Sequence, residues 1–247
     1  MFFCLKIASL FLVMHTTRII LRRASGQICT VQGILWAART GFFQTIQNDL
    51  NREVRQGSRV FYECETDTRK PPASYSIEER QIVTFMRHYG RLCRLIYEAQ
   101  GLALAYNHLR MPGTVVDANL PFAKMISMLC QRGFHKTKFF KEMGAALKDR
   151  KLCRLAVEVS RQVKQSMFRP IVSIDTVFDE FGLNVAQPDA FKEVLNRGKH
   201  EAAAESISRN LNGSNAYVVY RTIHVPGIAE LLMNDGWQFV SETKTNY

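Results

Sequence analysis

Apolar positions in this chain recur mainly at helical spacing, most cleanly in its middle. Phe122, Met125, Ile126, Leu129 and Cys130 stand at i, i+3, i+4, i+7 and i+8, the stripe of a helix with one buried face. Arg132-Gly133 marks a turn, and Phe139, Phe140, Met143 and Leu147 predict a return helix. Leu152, Leu155, Ala156, Val159 and Val163 predict a third helix over about 151–165. Upstream, Ser76 and Glu79 form a capping-box pattern ahead of Ile82, Val83, Phe85, Met86 and Tyr89. Gly90 punctuates that face, and a second periodicity runs through Leu92, Leu95, Ile96, Ala99, Leu102 and Ala103 to Met111-Pro112-Gly113. Nearer the start, Ile34, Leu35, Ala38, Phe42, Phe43, Ile46 and Leu50 predict a helix over 31–56, with Gly41 inside it.

Strand patterns are fewer. Arg59–Glu65 (RVFYECE) and Ile171–Ile174 (IVSI) read as short strands, and Ala216–Val225 (AYVVYRTIHV) as the strongest one. Asp175 or Thr176 caps a helix ending at Gly182, and 189–195 and 200–211 form a helix pair around Arg197-Gly198. Asn212-Gly213-Ser214 is a turn, Pro226 suits the first turn of a helix through Met233, and Trp237–Ser241 reads as a closing strand. Thr66–Ser76, with Pro71-Pro72, is a linker. The expected fold is mainly α: a helical-hairpin bundle or short solenoid, followed by a small mixed α/β C-terminal unit. The corresponding division is a targeting presequence at 1–26, an N-terminal helix and short strand at 27–70, a basic helical domain at 76–169 and an acidic mixed α/β unit at 170–247.

Charge adds a partner class to this picture. The 247 residues carry a net +11, with pI 9.6. From Arg132 to Arg169, eleven basic residues face only Glu142, Asp149 and Glu158, while 170–247 has six basic residues against ten acidic ones. Such segregation fits a docking surface for a polyanion. Arg132, Lys136, Lys138, Lys141, Lys148, Arg150, Lys151, Arg154, Arg161 and Lys164 are the candidate RNA- or phosphate-binding residues.

The first 48 residues contain no Asp or Glu. Residues 7–14 (IASLFLVM), with Ala24-Ser25-Gly26, have the outline of a secretory signal, but His15 to Arg18 interrupt the apolar run and it is too short to span a bilayer. From Met14, MHTTRIILRRASGQ is basic, hydroxyl-bearing and acid-free, the pattern of a mitochondrial presequence. The expected location is the mitochondrial matrix, with inner-membrane association as a variant, and Met14 rivals Met1 as the start.

Motifs for chemistry are missing. There is no GxxxxGK[ST], GxGxxG, HExxH or GxSxG, so neither a cofactor nor an enzyme activity is expected. The six cysteines (4, 29, 64, 93, 130, 153) lack zinc or redox spacing and read as buried free thiols. Asp175, Asp179 and Glu180 form an acidic cluster in which Asp175 is better used as a cap, and His135 reads as a solvent-facing helix residue. Asn212-Gly213-Ser214 reads as a β-turn before a glycosylation acceptor, and Trp237 as a packing residue before a base-stacking one.

Three stretches, 83–102, 123–147 and 191–211, share an apolar helix, a basic residue and glycine at a turn, and a second helix. This resembles the helical hairpin of pentatricopeptide repeats, a resemblance that implies a solenoid binding single-stranded RNA in an organelle. The turn glycines 90, 133 and 198 lack a constant period, so no base-reading residue carries over. The leading expectation is a non-enzymatic component of a mitochondrial RNA–protein assembly, a ribosome subunit or RNA-processing accessory factor, with RNA and other proteins as partners. The alternative is an accessory structural subunit of an inner-membrane respiratory or ATP synthase complex, its basic strip meeting anionic lipid or an acidic subunit. A third reading is an enzyme whose site is assembled from dispersed residues.

Overall fold

The computed structural model describes residues 15–63, 73–165, 177 and 186–246. The chain begins with a hairpin of β1 (His15–Arg22) and β2 (Ile28–Ile34), then β3 (Ala37–Ala38), α1 (Thr40–Arg55) and β4 (Arg59–Tyr62). The middle holds α2 (Ile77–Ala99), β5 (Ala103–Leu104), α3 (Ala105–His108), β6 (Val116–Asp117), α4 (Phe122–Gln131), α5 (Lys138–Lys148) and α6 (Arg150–Gln165). The last part is α7 (Asp189–Leu195), α8 (Arg197–Asn210), β7 (Ala216–Arg221), α9 (Val225–Asn234) and β8 (Gln238–Asn246).

This is an α/β fold and corrects the expectation of a mainly α helical-hairpin bundle or solenoid. Six strands form one mixed sheet in the order β6-β4-β7-β2-β1-β8. β6, β4, β7 and β2 are parallel, and β1 joins antiparallel to β2 and β8. β7 lies between β2 and β4, so the N-terminal and C-terminal parts of the chain share one sheet.

Helices cover both faces. Ile19, Leu21, Val31, Val218 and Tyr220 pack with Ala203 and Ile207 of α8 and Ile228 and Leu232 of α9. Tyr217 and Val219 of the same β7 point the other way, onto Phe42, Phe43, Ile46 and Leu50 of α1. Burial on both faces removes the apolar–polar alternation that marks a strand in sequence. That is why β2 (ICTVQGI) reads as part of a helix: the predicted helix over 31–56 is in fact β2, β3 and a shorter α1.

The same reason applies to β1. Its residues fall within the predicted presequence, yet Leu21 is fully buried and Ile19 nearly so. Arg18 donates from Nε to Gln32 at 2.6 Å and pairs with Asp49 of α1. Arg23 pairs with Asp235 at 2.7 Å and lies over the Trp237 ring at 4.7 Å. Trp237 is buried, as a packing residue should be.

A second core joins α2, α4, α5, α6 and α7 through Ile82, Phe85, Ile96, Met125, Ile126, Leu129, Phe134, Phe139 and Phe191. The predicted capping box is present: Ser76 Oγ accepts from the Glu79 N–H at 3.1 Å and Glu79 Oε2 from the Ser76 N–H at 2.9 Å. The predicted break at Gly90 is absent, because α2 runs unbroken through it. Asn212 and Gly213 both adopt positive φ, 47° and 81°, as the predicted turn requires. Cys29 and Cys93 are buried, and Cys130 and Cys153 half-buried. The predicted strand 171–174, the capped helix to Gly182 and the linker residues 66–72 lie outside the described residues.

Candidate functional site

Because β2, β4 and β7 are parallel, their carboxyl ends open on the same edge of the sheet, where α/β folds build ligand sites. Three charged residues converge there. The β4–β7 ladder continues one residue beyond β4, with the Glu63 N–H donating to the Val219 carbonyl at 3.1 Å, and this turns the Glu63 side chain into the interior. β7 ends with Arg221, whose Nε reaches the Glu63 oxygens at 2.9 and 3.1 Å and whose Nη2 lies at 2.5 Å. The Arg221 N–H also donates to Glu63 Oε2 at 3.1 Å. From the first turn of α8, Lys199 donates from Nζ to Glu63 Oε1 at 2.5 Å.

Glu63 and Lys199 are only 7% and 5% exposed at their side chains. A carboxylate taken this far from water needs such partners. Burial alone pushes the Glu63 carboxyl up, but Arg221 and Lys199 more than reverse this and hold it well below the usual carboxylate range. Burial and the neighbouring guanidinium bring Lys199 down to about 8, against the pull of Glu63. Arg221 is deep in the fold, yet 37% of its side chain is open because it faces a cavity.

A histidine pair adjoins the cluster. His200 Nε2 and His224 Nδ1 are 3.2 Å apart, one donating to the other according to tautomer. Gly227, in the first turn of α9, permits this: a Cβ there would stand 2.1 Å from His200 Nδ1. Burial lowers His200 and brings His224 down to about 3, so His224 is neutral at physiological pH. Its Nε2 is buried and has no hydrogen-bond partner among the described residues.

Glu63, Lys199, Arg221 and His224 line a cavity of about 480 Å³ between the sheet edge and the second core. The rest of the lining is mostly apolar and aromatic, with Trp36 after β2, Tyr89 and Tyr97 of α2, Phe122 of α4 and Phe191 of α7. Trp36 and Tyr97 meet edge to face at 5.4 Å. Ile223, at the mouth, is 67% exposed. Lys192 also borders the cavity, so its lining carries three cations against one carboxylate. Such a space takes a drug-sized molecule and orients it with a few charged groups. Among the described residues there is no cluster of three metal-ligating side chains.

The sequence-predicted basic residues lie elsewhere, and none of the nine whose side chains are described lines the cavity. Lys136, Lys138, Lys141, Lys148, Arg150, Lys151, Arg154 and Arg161 are exposed, on α5, α6 and the turn before α5. Arg150, Arg154 and Arg161 share one face of α6. Arg132 is engaged by Glu193 of α7, Lys138 lies 3.7 Å from Glu142 and Arg161 2.6 Å from Glu158. Lys164 belongs to α6, with its side chain outside the described region. Asp175, Asp179 and Glu180 also lie outside the described residues.

The cavity cluster escapes sequence reading because Glu63, Lys199, Arg221 and His224 come from three separated stretches. One signal was present: Glu63 and Arg221 each fall within a stretch that reads as a strand, 59–65 and 216–225. No helix among the described residues is long and apolar enough to cross a membrane. Comparison with known proteins finds no matching family model, no matching curated protein and no matching solved structure.

Proposed function

We propose that this protein binds a small organic anion with an apolar or aromatic body, with the neutral His224 beside the bound molecule. The observation that carries this reading is the Glu63–Lys199–Arg221 cluster, net positive, on a cavity whose remaining lining is largely apolar and aromatic. A carboxylate or phosphate takes the open part of Arg221, and the ring or chain lies against Trp36, Tyr89 and Tyr97. The site is of the dispersed kind, drawn from β4, α8 and β7.

Thermal unfolding and calorimetry with phenyl phosphate and benzoate, against benzamide as uncharged counterpart, test it. A ligand at a hundredfold its Kd stabilises by about 2.7 kcal/mol, a rise of roughly 5–10 °C in Tm for a chain of this size. The anions are expected to raise Tm and benzamide to leave it unchanged, and Arg221→Gln to abolish the difference. Equal responses to charged and neutral compounds, or none to either, refute the reading.

A second reading rests on a different observation, the exposure of eight basic side chains on α5, α6 and the turn before α5. It keeps the mitochondrial RNA–protein assembly as a proposal. Arg150, Arg154 and Arg161 on one face of α6 neutralise phosphates, and Lys136, Lys138, Lys141, Lys148 and Lys151 extend the positive field.

A further inference from the structure

We propose that the protein forms a two-fold dimer by antiparallel pairing of β8 with β8 of a second copy, joining two six-stranded sheets into one. Among the described residues, β8 is the longest strand, nine residues, and stands last in the sheet with only β1 beside it. The outer row of its backbone N–H and C=O groups therefore meets no strand among the described residues. The opposite edge is β6, two residues long, and offers no comparable template.

β8 is also uncovered on both faces: eight of its nine residues are exposed, whereas β1 beside it is largely buried. Phe239 is 54% and Val240 48% exposed. Edge strands of monomeric proteins are usually short, bulged or guarded by lone charges; β8 has one bulge, at Val240, and runs in regular register with β1 from Ser241 to Asn246. Here the charges alternate in sign instead. Glu242 and Lys244 share one face, 3.2 Å apart, with side chains 38% and 63% exposed.

That spacing is self-complementary. In an antiparallel pair centred on Thr243, Glu242 stands opposite the second copy's Lys244, and Lys244 opposite its Glu242. Thr243 then meets Thr243, and Ser241 meets Thr245. Opposite charges and hydroxyl pairs directly across a ladder are favourable. Centring on Glu242 or Lys244 would instead place like charges together, so the charges select the register as well as the partner. An isologous contact of this kind closes at two copies.

Sedimentation equilibrium of the full chain, from micromolar to submillimolar concentration, reads the association directly. A monomer–dimer equilibrium is expected. Lys244→Glu, which sets Glu242 against a glutamate twice, is expected to raise the dimer dissociation constant at least about ten-fold. The exchanged variant, Glu242→Lys with Lys244→Glu, restores it, and a mixture of the separate Glu242→Lys and Lys244→Glu proteins forms the heterodimer. Circular dichroism confirms that each variant is folded. A chain that remains monomeric throughout, a larger assembly, or a dimer indifferent to Lys244→Glu overturns the proposal.

Discussion

The Nε of Arg221 donates to both oxygens of Glu63, at 2.9 and 3.1 Å, although 158 positions separate the two residues. The bond ties the end of β7 to the end of β4, and Lys199 of α8 closes the cluster at 2.5 Å. Removing one member leaves the others buried with an unmatched charge.

Glu63→Gln is therefore expected to lower the unfolding free energy by about 3–5 kcal/mol, measured in urea. Adding Lys199→Met to it removes the buried ammonium and should recover a substantial part of that loss. If the double variant is as unstable as the sum of the single ones, the cluster is not a coupled unit.

Stability should also depend on pH through the histidine pair. Burial lowers both His200 and His224, so below their ordinary value of 6.5 the unfolded chain binds protons that the folded chain excludes. Stability accordingly falls as pH falls from 6.5, by up to about 1.4 kcal/mol per unit for His224. Glu63, whose folded value is lowered, adds its own loss only once pH falls below the ordinary 4.5. Between pH 6.5 and 4.5, His224→Gln is expected to flatten the decline seen in urea titrations. Identical slopes in the two proteins would remove His224 from this account.

β1 offers a test of where any leader ends. Truncation through residue 26 deletes Thr16, Thr17, Ile19 and Leu21, four buried residues of a strand paired on both sides. Burial of Ile19 and Leu21 alone is worth about 3–6 kcal/mol, and the loss of two strand ladders adds to it, against the roughly 5–15 kcal/mol that holds a domain folded. The truncated chain is expected to show no cooperative thermal transition in differential scanning calorimetry. A sharp transition would mean that the sheet closes without β1.

For the basic surface, simultaneous reversal of Arg150, Arg154 and Arg161 to Glu is expected to weaken single-stranded RNA binding at low salt. Each lost phosphate contact reduces the slope of log affinity against log salt by about 0.7. Circular dichroism should be unchanged, since all three side chains are exposed. An affinity independent of salt counts against phosphate contacts altogether.

Much of the helical layer was legible in the chain. The stripe from Phe122 to Cys130 and the Ser76–Glu79 cap depend on neighbours three or four positions away, and they appear as α4 and the start of α2. Gly90 misled because its expected break rests on propensity alone. Within α2 the packing of Phe85, Leu92 and Ile96 outweighs the cost of one glycine, about 1 kcal/mol.

The sheet was much less legible. β1 and β2 are largely buried, so Ile19, Leu21 and Val31 give no clean strand alternation, and the arginines around them also fit the presequence pattern. Arg18 and Arg23 prove to have partners, Asp49 and Asp235, that lie far along the chain. The candidate site is the extreme case: Glu63, Lys199, Arg221 and His224 carry no motif.

By itself, then, the sequence determined the local features: the helical stripes, the caps, the Asn212-Gly213 turn, the strong β7 strand and the exposed basic run on α5 and α6. These follow from side-chain periodicity and backbone preference over a few residues. Only the tertiary structure decided that β7 inserts between β2 and β4, that β1 belongs to the sheet, and that a carboxylate, two cations and a histidine pair meet at a cavity. Those outcomes depend on which distant strands pair, and strand pairing is settled by burial across the whole sheet, which no local window contains.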